Sequence, residues 1–204
     1  MFPKDVCEEL IMKGESAPRY HPSVTVGFTD FVDFTERVEH WEPEFLISIL
    51  KEYFSAFDQI LEYYKVEKLK TIGDAYMFAG GVPDDSPDHA IKCAKSACAF
   101  RDYVKDYYVN SKNKEAVFEI RIGLHTGPVV SGVISGKKIA YDIWGDTVNT
   151  AQRMENSSHS GAICISQSTY DLISGCSKCE ERVPIEIKGK GMMKVYTLNT
   201  ITLS

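Results

Sequence analysis

The 204-residue sequence predicts one α+β domain in which helices pack on a mainly antiparallel sheet. Three observations lead to that class. In two long segments apolar residues recur every three or four positions, the spacing of a helix with one buried face. In several shorter segments they alternate or run together between Gly, Pro and Asp, which is how strands and their turns read. The chain is also 44% hydrophobic, enough for one substantial core, and its length calls for no second domain.

Taken in order, Phe2 to His21 reads as an extended start and Ser23 to Phe28 as a buried strand. Pro43 to Tyr64 carries Phe45, Ile49, Tyr53, Phe57, Ile60 and Tyr64 on one helical stripe. Val66 to Ile72 and Ala75 to Ala79 form a hairpin through Gly73-Asp74, a dipeptide suited to a tight turn. Ser86-Pro87 supplies an N-cap and a first-turn proline to a second helix reaching about Tyr107, with Ala90, Ala94, Ala97 and Val104 inward. Val117 to His125 alternates with period two, placing Phe118, Ile120, Ile122 and Leu124 on one side. Pro128 to Ser135 and Ile139 to Ile143 continue as strands around Gly136-Lys137-Lys138, and Thr147 to Glu155 is a short helix after Gly145-Asp146. Ala162 to Ser166, Val183 to Ile187 and Lys194 to Leu198 close the chain as short strands. The order gives a ferredoxin-like βαββαβ core with additional strands. Residues 1–21 are read as an N-terminal extension connecting to an upstream region, and residues 22–204 as the domain proper.

A net charge of -6 argues against nucleic acid as a partner, because affinity for a phosphate backbone comes from clustered Lys and Arg. Neither the apolar core of a signal peptide nor an apolar run of spanning length is present, so a soluble, cytoplasmic segment without direct membrane contact is expected. The six cysteines lack the dense spacing of a secreted disulfide scaffold and read as reduced thiols. Cys176-Ser-Lys-Cys179 has no second ligand pair that would make it a zinc site.

Several residues could carry chemistry. Asp30 closes an apolar strand in Val-Gly-Phe-Thr-Asp30-Phe-Val-Asp33, and Asp74 occupies the turn of Lys70-Thr-Ile-Gly-Asp74-Ala-Tyr. Two carboxylates at strand ends can jointly bind a hard divalent ion, although each alone is more often a turn former or a helix cap. Asn149 and Arg153 lie four apart on a helix and so can reach one ligand. Lys188-Gly-Lys190-Gly is a basic loop whose glycines let the backbone approach a phosphate. Gly132-Val-Ile-Ser-Gly136-Lys137-Lys138 is one residue short of P-loop spacing, lacks the hydroxyl residue after its lysine and opens no helix, so it is set aside.

Together these stretches resemble the catalytic domain of the class III nucleotidyl cyclases, adenylyl type, from about Pro3 to Leu198. The matching blocks are Phe-Thr-Asp30-Phe-Val-Asp33-Phe-Thr, Glu67-Lys-Leu-Lys70-Thr-Ile-Gly-Asp74-Ala-Tyr, Arg121-Ile-Gly-Leu-His-Thr-Gly, Tyr141-Asp142-Ile-Trp-Gly-Asp-Thr-Val-Asn149-Thr-Ala-Gln-Arg153-Met and Ile187-Lys188-Gly-Lys190-Gly. The resemblance implies the class III cyclase fold and a reaction that turns ATP into cyclic AMP and pyrophosphate. It implies that Asp30 and Asp74, with the carbonyl of Phe31, hold two Mg²⁺ or Mn²⁺ ions. By the same likeness Arg153 stabilises charge on the α-phosphate, Asn149 orients the ribose, and Arg121 and Lys188 hold the outer phosphates. Lys70 and Asp142 match the base-reading positions, where a donor and an acceptor complement N1 and N6 of adenine and mismatch guanine. A guanylyl or mixed-specificity cyclase is the alternative. The likeness further implies a head-to-tail homodimer with shared sites, Asp30, Asp74 and Arg121 coming from one subunit and Lys70, Asp142, Asn149, Arg153 and Lys188 from the other. Many family members have glycine where this chain has Asp33, a third carboxylate expected to point to solvent.

Overall fold

The computed structural model describes residues 4–111, 116–134 and 139–202. The chain opens with α1 (Lys4–Lys13), β1 (Arg19–Phe31), the short α2 (Phe34–Val38) and the long α3 (Pro43–Tyr64). A hairpin of β2 (Glu67–Ile72) and β3 (Ala75–Gly80) leads to α4 (His89–Asn110). Next come β4 (Ile120–Ile134), β5 (Ala140–Trp144), α5 (Asp146–Asn156), β6 (Ile163–Ser166) and α6 (Gln167–Ile173). The last strands are β7 (Ser177–Glu181), β8 (Ile185–Ile187), β9 (Gly191–Met193) and β10 (Val195–Ile201). Seven strands cross the main sheet in the order β2-β3-β1-β4-β6-β10-β7, and β5 pairs with β4 as the eighth. Only β4 and β6 run parallel; the other pairs of that sheet are antiparallel. β8 and β9 form a separate two-stranded hairpin.

Side-chain alternation along β1 feeds two cores on opposite faces of the sheet. Beneath α3 and α4 lies an aromatic core in which Phe57 and Phe100 stack at 4.3 Å between ring centroids. Full burial of each such ring stabilises the fold by ~2–3 kcal/mol. Tyr53 sits in the same core with its hydroxyl satisfied, donating to Ala116 O at 3.1 Å and accepting from Phe118 N at 3.3 Å. On the other face Val24, Val26, Phe28, Met77, Ala79, Val129 and Ile143 pack together with Ala151 of α5. That second core fixes α5, which carries two of the candidate residues.

The mixed α+β class, the hairpin and the helix over Pro43–Tyr64 agree with the sequence reading. Four places differ. The start read as extended contains α1, and β1 begins at Arg19, inside the expected extension. The second helix starts at His89 rather than at Ser86-Pro87, with Asp88 in the capping position. The two strands expected over Val117–His125 and Pro128–Ser135 are one strand to Ile134, and Ser135 to Lys138 lie outside the described residues. Pro128 is tolerated there because the β1–β4 ladder shifts register between His21 and Val24, leaving no bond for its missing N–H to make. Gly127 marks a close approach, since a Cβ on it would lie 2.6 Å from Thr147 Oγ1 at the start of α5. Finally, α6 and β7 were not expected. α6 is only a turn or two long, begun by Ser166 Oγ accepting from Thr169 N, and β7 is polar and lacks alternation. No helix among the described residues is long and apolar enough to cross a membrane.

Candidate active site

The first group of candidate residues gathers where β1 ends. Asp30 stands opposite Arg121 of β4 in the ladder. Paired residues share a sheet face, and Arg121 Nη2 donates to Asp30 Oδ2 at 2.9 Å. β3 flanks the other side of β1, with Thr29 opposite Tyr76, so the β2–β3 turn brings Asp74 to the same end. Burial pushes the Asp74 carboxyl up to about 6, helped by the charge of Asp30 and the hydrogen bond between the two acids. The backbone N–H groups of Asp74 and Phe31 offset part of that rise.

Sequence reading missed a fourth member, Glu155. It lies in the last turn of α5, is 4% exposed, and faces Arg121 Nε through Oε1 at 3.2 Å. The contact is an ion pair without hydrogen-bond geometry, because neither atom has a hydrogen-bond partner. Burial, then the charge of Asp30, outweighs Arg121 and pushes the Glu155 carboxyl up to about 7. A Cβ on Gly123 would come 1.9 Å from Glu155 N, so α5 can settle this close to β4 only over a glycine. The available signal was an acid on the inward face of an amphipathic helix, beside Ala151 and Met154.

The donor set suits a hard divalent cation. Two neighbouring carboxylates, one with a raised pKa, lose repulsion when such an ion sits between them. Phe31 has its ring buried at 2% exposure, so only its backbone is available to the site. Among the described residues no cluster of three or more His, Cys, Asp or Glu side chains is arranged to hold a metal. Remaining ligands would therefore be backbone oxygens, such as the Phe31 carbonyl, or oxygens of a substrate.

A second group joins β2 to β5. Lys70 and Asp142 form a direct ion pair, and the other Asp142 oxygen accepts from Ile143 N at 3.0 Å. The third group lies along α5 and the β8–β9 hairpin. Asn149 is exposed, and Arg153 Nη1 donates to the carbonyl of Lys188 at 2.7 Å. Lys188 itself is exposed at the hairpin turn, where Lys190 N donates to Ile187 O at 2.8 Å. Lys190 forms an ion pair with Asp146 at the start of α5. The nine predicted residues thus fall into an acidic set with Arg121, a base-sized donor–acceptor pair, and a basic face on α5. A cavity of about 470 Å³ lined by Arg101, Val104, Lys105, Phe118 and Gly161, among others, contains none of the nine.

Residues 17–200 match the family model described as the adenylate and guanylate cyclase catalytic domain. The chain is 37% identical over 202 residues to human atrial natriuretic peptide receptor 2, covering 97% of this chain and 19% of the receptor. It is 35% identical over 200 residues to an adenylate cyclase of Mycobacterium tuberculosis, covering 97% of this chain and 44% of that protein. The chain therefore spans less than half the length of these curated relatives. Among solved structures, the guanylate cyclase domain of RhGC from Catenaria anguillulae in complex with GTP superposes with a TM-score of 0.85 at 35% identity, covering 90% of this chain and 100% of that one.

Proposed function

This chain belongs to the family of adenylate and guanylate cyclase catalytic domains, the class III cyclases, and from that premise we propose that it forms 3′,5′-cyclic AMP and pyrophosphate from ATP. The observation that carries the choice of base is the Lys70–Asp142 pair. Adenine offers an acceptor at N1 and a donor at N6, which an ammonium and a carboxylate complement; guanine offers the reverse and would face two mismatches. A double mismatch discriminates where the base covers the pair, because each unpaired group then loses its hydration without replacement. A guanylate cyclase is the second reading, favoured by relatives such as the natriuretic peptide receptor and the GTP-bound RhGC domain.

Asp30 and Asp74, with the backbone of Phe31, would hold two divalent ions, Mg²⁺ or Mn²⁺, which supply the charge that activates the ribose 3′-hydroxyl and stabilises the departing pyrophosphate. The chain's own side chains then position and stabilise. Arg121, held by Asp30 and Glu155, would take outer phosphate oxygens together with Lys188. Asn149 would fix the ribose. Arg153 would exchange its hold on the Lys188 carbonyl for the α-phosphate, where preorganised positive charge acts on the transition state. These groups form complete sites if two copies pair head to tail, each lending the acidic set to one site and the α5 set to the other. The exposed Tyr20, Val130, Ile134 and Trp144 of β1, β4 and β5 give such a dimer apolar surface to bury.

The test is product formation by the purified protein from ATP or GTP, each with Mg²⁺ and Mn²⁺, beside an Asp74→Ala control. Cyclic AMP formed at least about tenfold faster than cyclic GMP, and lost in the control, is expected from the base complementarity. Equal rates or a preference for GTP would move the assignment to the second reading.

A further inference from the structure

The geometry points to Asp146 and Lys190 as a positioning pair that fixes Lys188 and Arg153 relative to one another, an inference that rests on the cyclase reading above. The β8–β9 hairpin stands outside the main sheet, with three residues in each strand. Its base is anchored by Ile187, buried with Met154, Cys164 and Val195, but its turn, residues 188–190, is exposed. Two bonds tie that turn to α5: Asp146 grips Lys190, and Arg153 donates to the Lys188 carbonyl at 2.7 Å. Asp146 and Arg153 are seven residues apart, two helical turns, so they lie on one stripe of α5 with Asn149 between them.

The two ties differ in what a substrate would do to them. Arg153 must leave the Lys188 carbonyl to act on a phosphate, and at that moment the Asp146–Lys190 pair is, among the described residues, the remaining side-chain tie between turn and helix. Lys190 is also more sheltered than its partner, at 29% against 67% side-chain exposure, so its stem lies along protein surface while its ammonium reaches the helix. An exposed ion pair adds little to global stability. Its effect is therefore local, setting how far Lys188 stands from Arg153 when both leave their resting contacts. Neither Asp146 nor Lys190 needs to touch substrate in this role.

The experiment compares wild type with Asp146→Asn, Lys190→Met and the charge-swapped double variant Asp146→Lys/Lys190→Asp. Each dimer is assayed for kcat and KM on ATP and GTP and, without nucleotide, for amide hydrogen exchange across residues 187–191. Each single change is expected to lower kcat about tenfold, the scale of a misplaced catalytic group, with KM altered less than about twofold. Exchange in the turn should accelerate in both singles, while Tm moves by no more than about 2 °C. The swapped pair should bring kcat to within about threefold of wild type and slow the exchange again, since opposite charges still face each other. The inference is overturned if the singles keep wild-type kcat and exchange, or if the swap rescues neither. It is equally overturned if Lys190→Met raises KM tenfold while Asp146→Asn does nothing, which would make Lys190 a direct phosphate ligand. Should wild type make no cyclic nucleotide, the cyclase reading has failed, and the exchange data alone still decide whether the pair holds the turn.

Discussion

The acidic end of the site and its α5 end handle charge in opposite ways. At the acidic end Asp30 and Glu155 share the guanidinium of Arg121 while Asp74 lies beside Asp30, and the carboxyls of Asp74 and Glu155 are pushed up to about 6 and about 7. That end is short of positive charge. At the α5 end Lys190 has Asp146 and Arg153 has a backbone carbonyl, with Lys188 exposed beside them, and in the neighbouring β2–β5 group Lys70 has Asp142. A cation would enter the first end by relieving repulsion, whereas a nucleotide at the second would have to displace contacts the protein makes with itself. Selectivity follows from that competition, because a ligand that cannot replace the displaced bonds leaves polar groups unpaired.

The largest effect should come from separating the two ends genetically. Asp74→Ala and Arg153→Ala are each expected to lose about a hundredfold or more in kcat, the scale of removing a metal ligand or a transition-state cation. If the ends of one chain serve different sites of a dimer, mixing the two inactive proteins rebuilds one intact site per mixed dimer. Random pairing at equal concentrations then restores about a quarter of wild-type activity. Mixtures that stay inactive although mixed dimers form would mean that both ends serve the same site.

A smaller effect separates the ends by pH. Asp74 and Glu155 have folded values of about 6 and about 7 against 3.8 and 4.5 for the unperturbed side chains. Because these folded values are raised, the folded state holds protons that the unfolded chain has released. The resulting stability is fully present below about pH 4 and is lost as pH rises through about 6 to 7. Glu155→Gln should raise the unfolding free energy at pH 8 by about 1–3 kcal/mol and flatten the slope, as read from urea titrations at several pH values. Millimolar Mg²⁺ should recover part of the wild-type loss. A drop in stability for Glu155→Gln at pH 8 would show instead that its attraction to Arg121 exceeds its burial penalty, removing the contrast between the ends.

The same contrast explains what could be read from sequence. Local signals sufficed for α3, whose apolar stripe repeats without interruption, and for the β2–β3 hairpin, whose Gly73-Asp74 turn has its own chemistry. Asp30, Asp74, Lys70, Asp142, Asn149 and Arg153 became candidates through the blocks that resemble the cyclase pattern, each being ordinary on its own. Glu155 was not legible, since its importance lies in being buried against Arg121, thirty-four positions earlier in the chain. Nor was the unbroken β4: Gly127-Pro128 has the composition of a turn, and only the irregular ladder with β1 and the nearness of Thr147 show why both residues fit in a strand. The Asp146–Lys190 tie escaped for a similar reason, because an acid at a helix start and a lysine in a turn are each ordinary until the fold sets them together.

The smallest effect concerns how each end makes its tight turn. The hairpin at the α5 end turns on Gly189, with φ of 84°, whereas the loop after Asp30 turns on Asp33, with φ of 55°. A left-handed backbone costs a residue with a Cβ roughly 1–2 kcal/mol, less for Asp than for most. Asp33 offers no compensating cap: its side chain makes no capping bond to α2 and is exposed. Glycine at this position removes that strain but adds about 0.5–1 kcal/mol of backbone entropy to be lost on folding. It also removes a negative charge from the end already crowded with them. Asp33→Gly should therefore gain up to about 1 kcal/mol, seen as a higher urea midpoint at unchanged m-value. Its KM for nucleotide should fall, by less than about threefold, through weaker like-charge repulsion of the triphosphate. A loss of more than about 1 kcal/mol would mean that the Asp33 carboxylate holds the loop in place, and that the acidic end, like the α5 end, is restrained by contacts of its own.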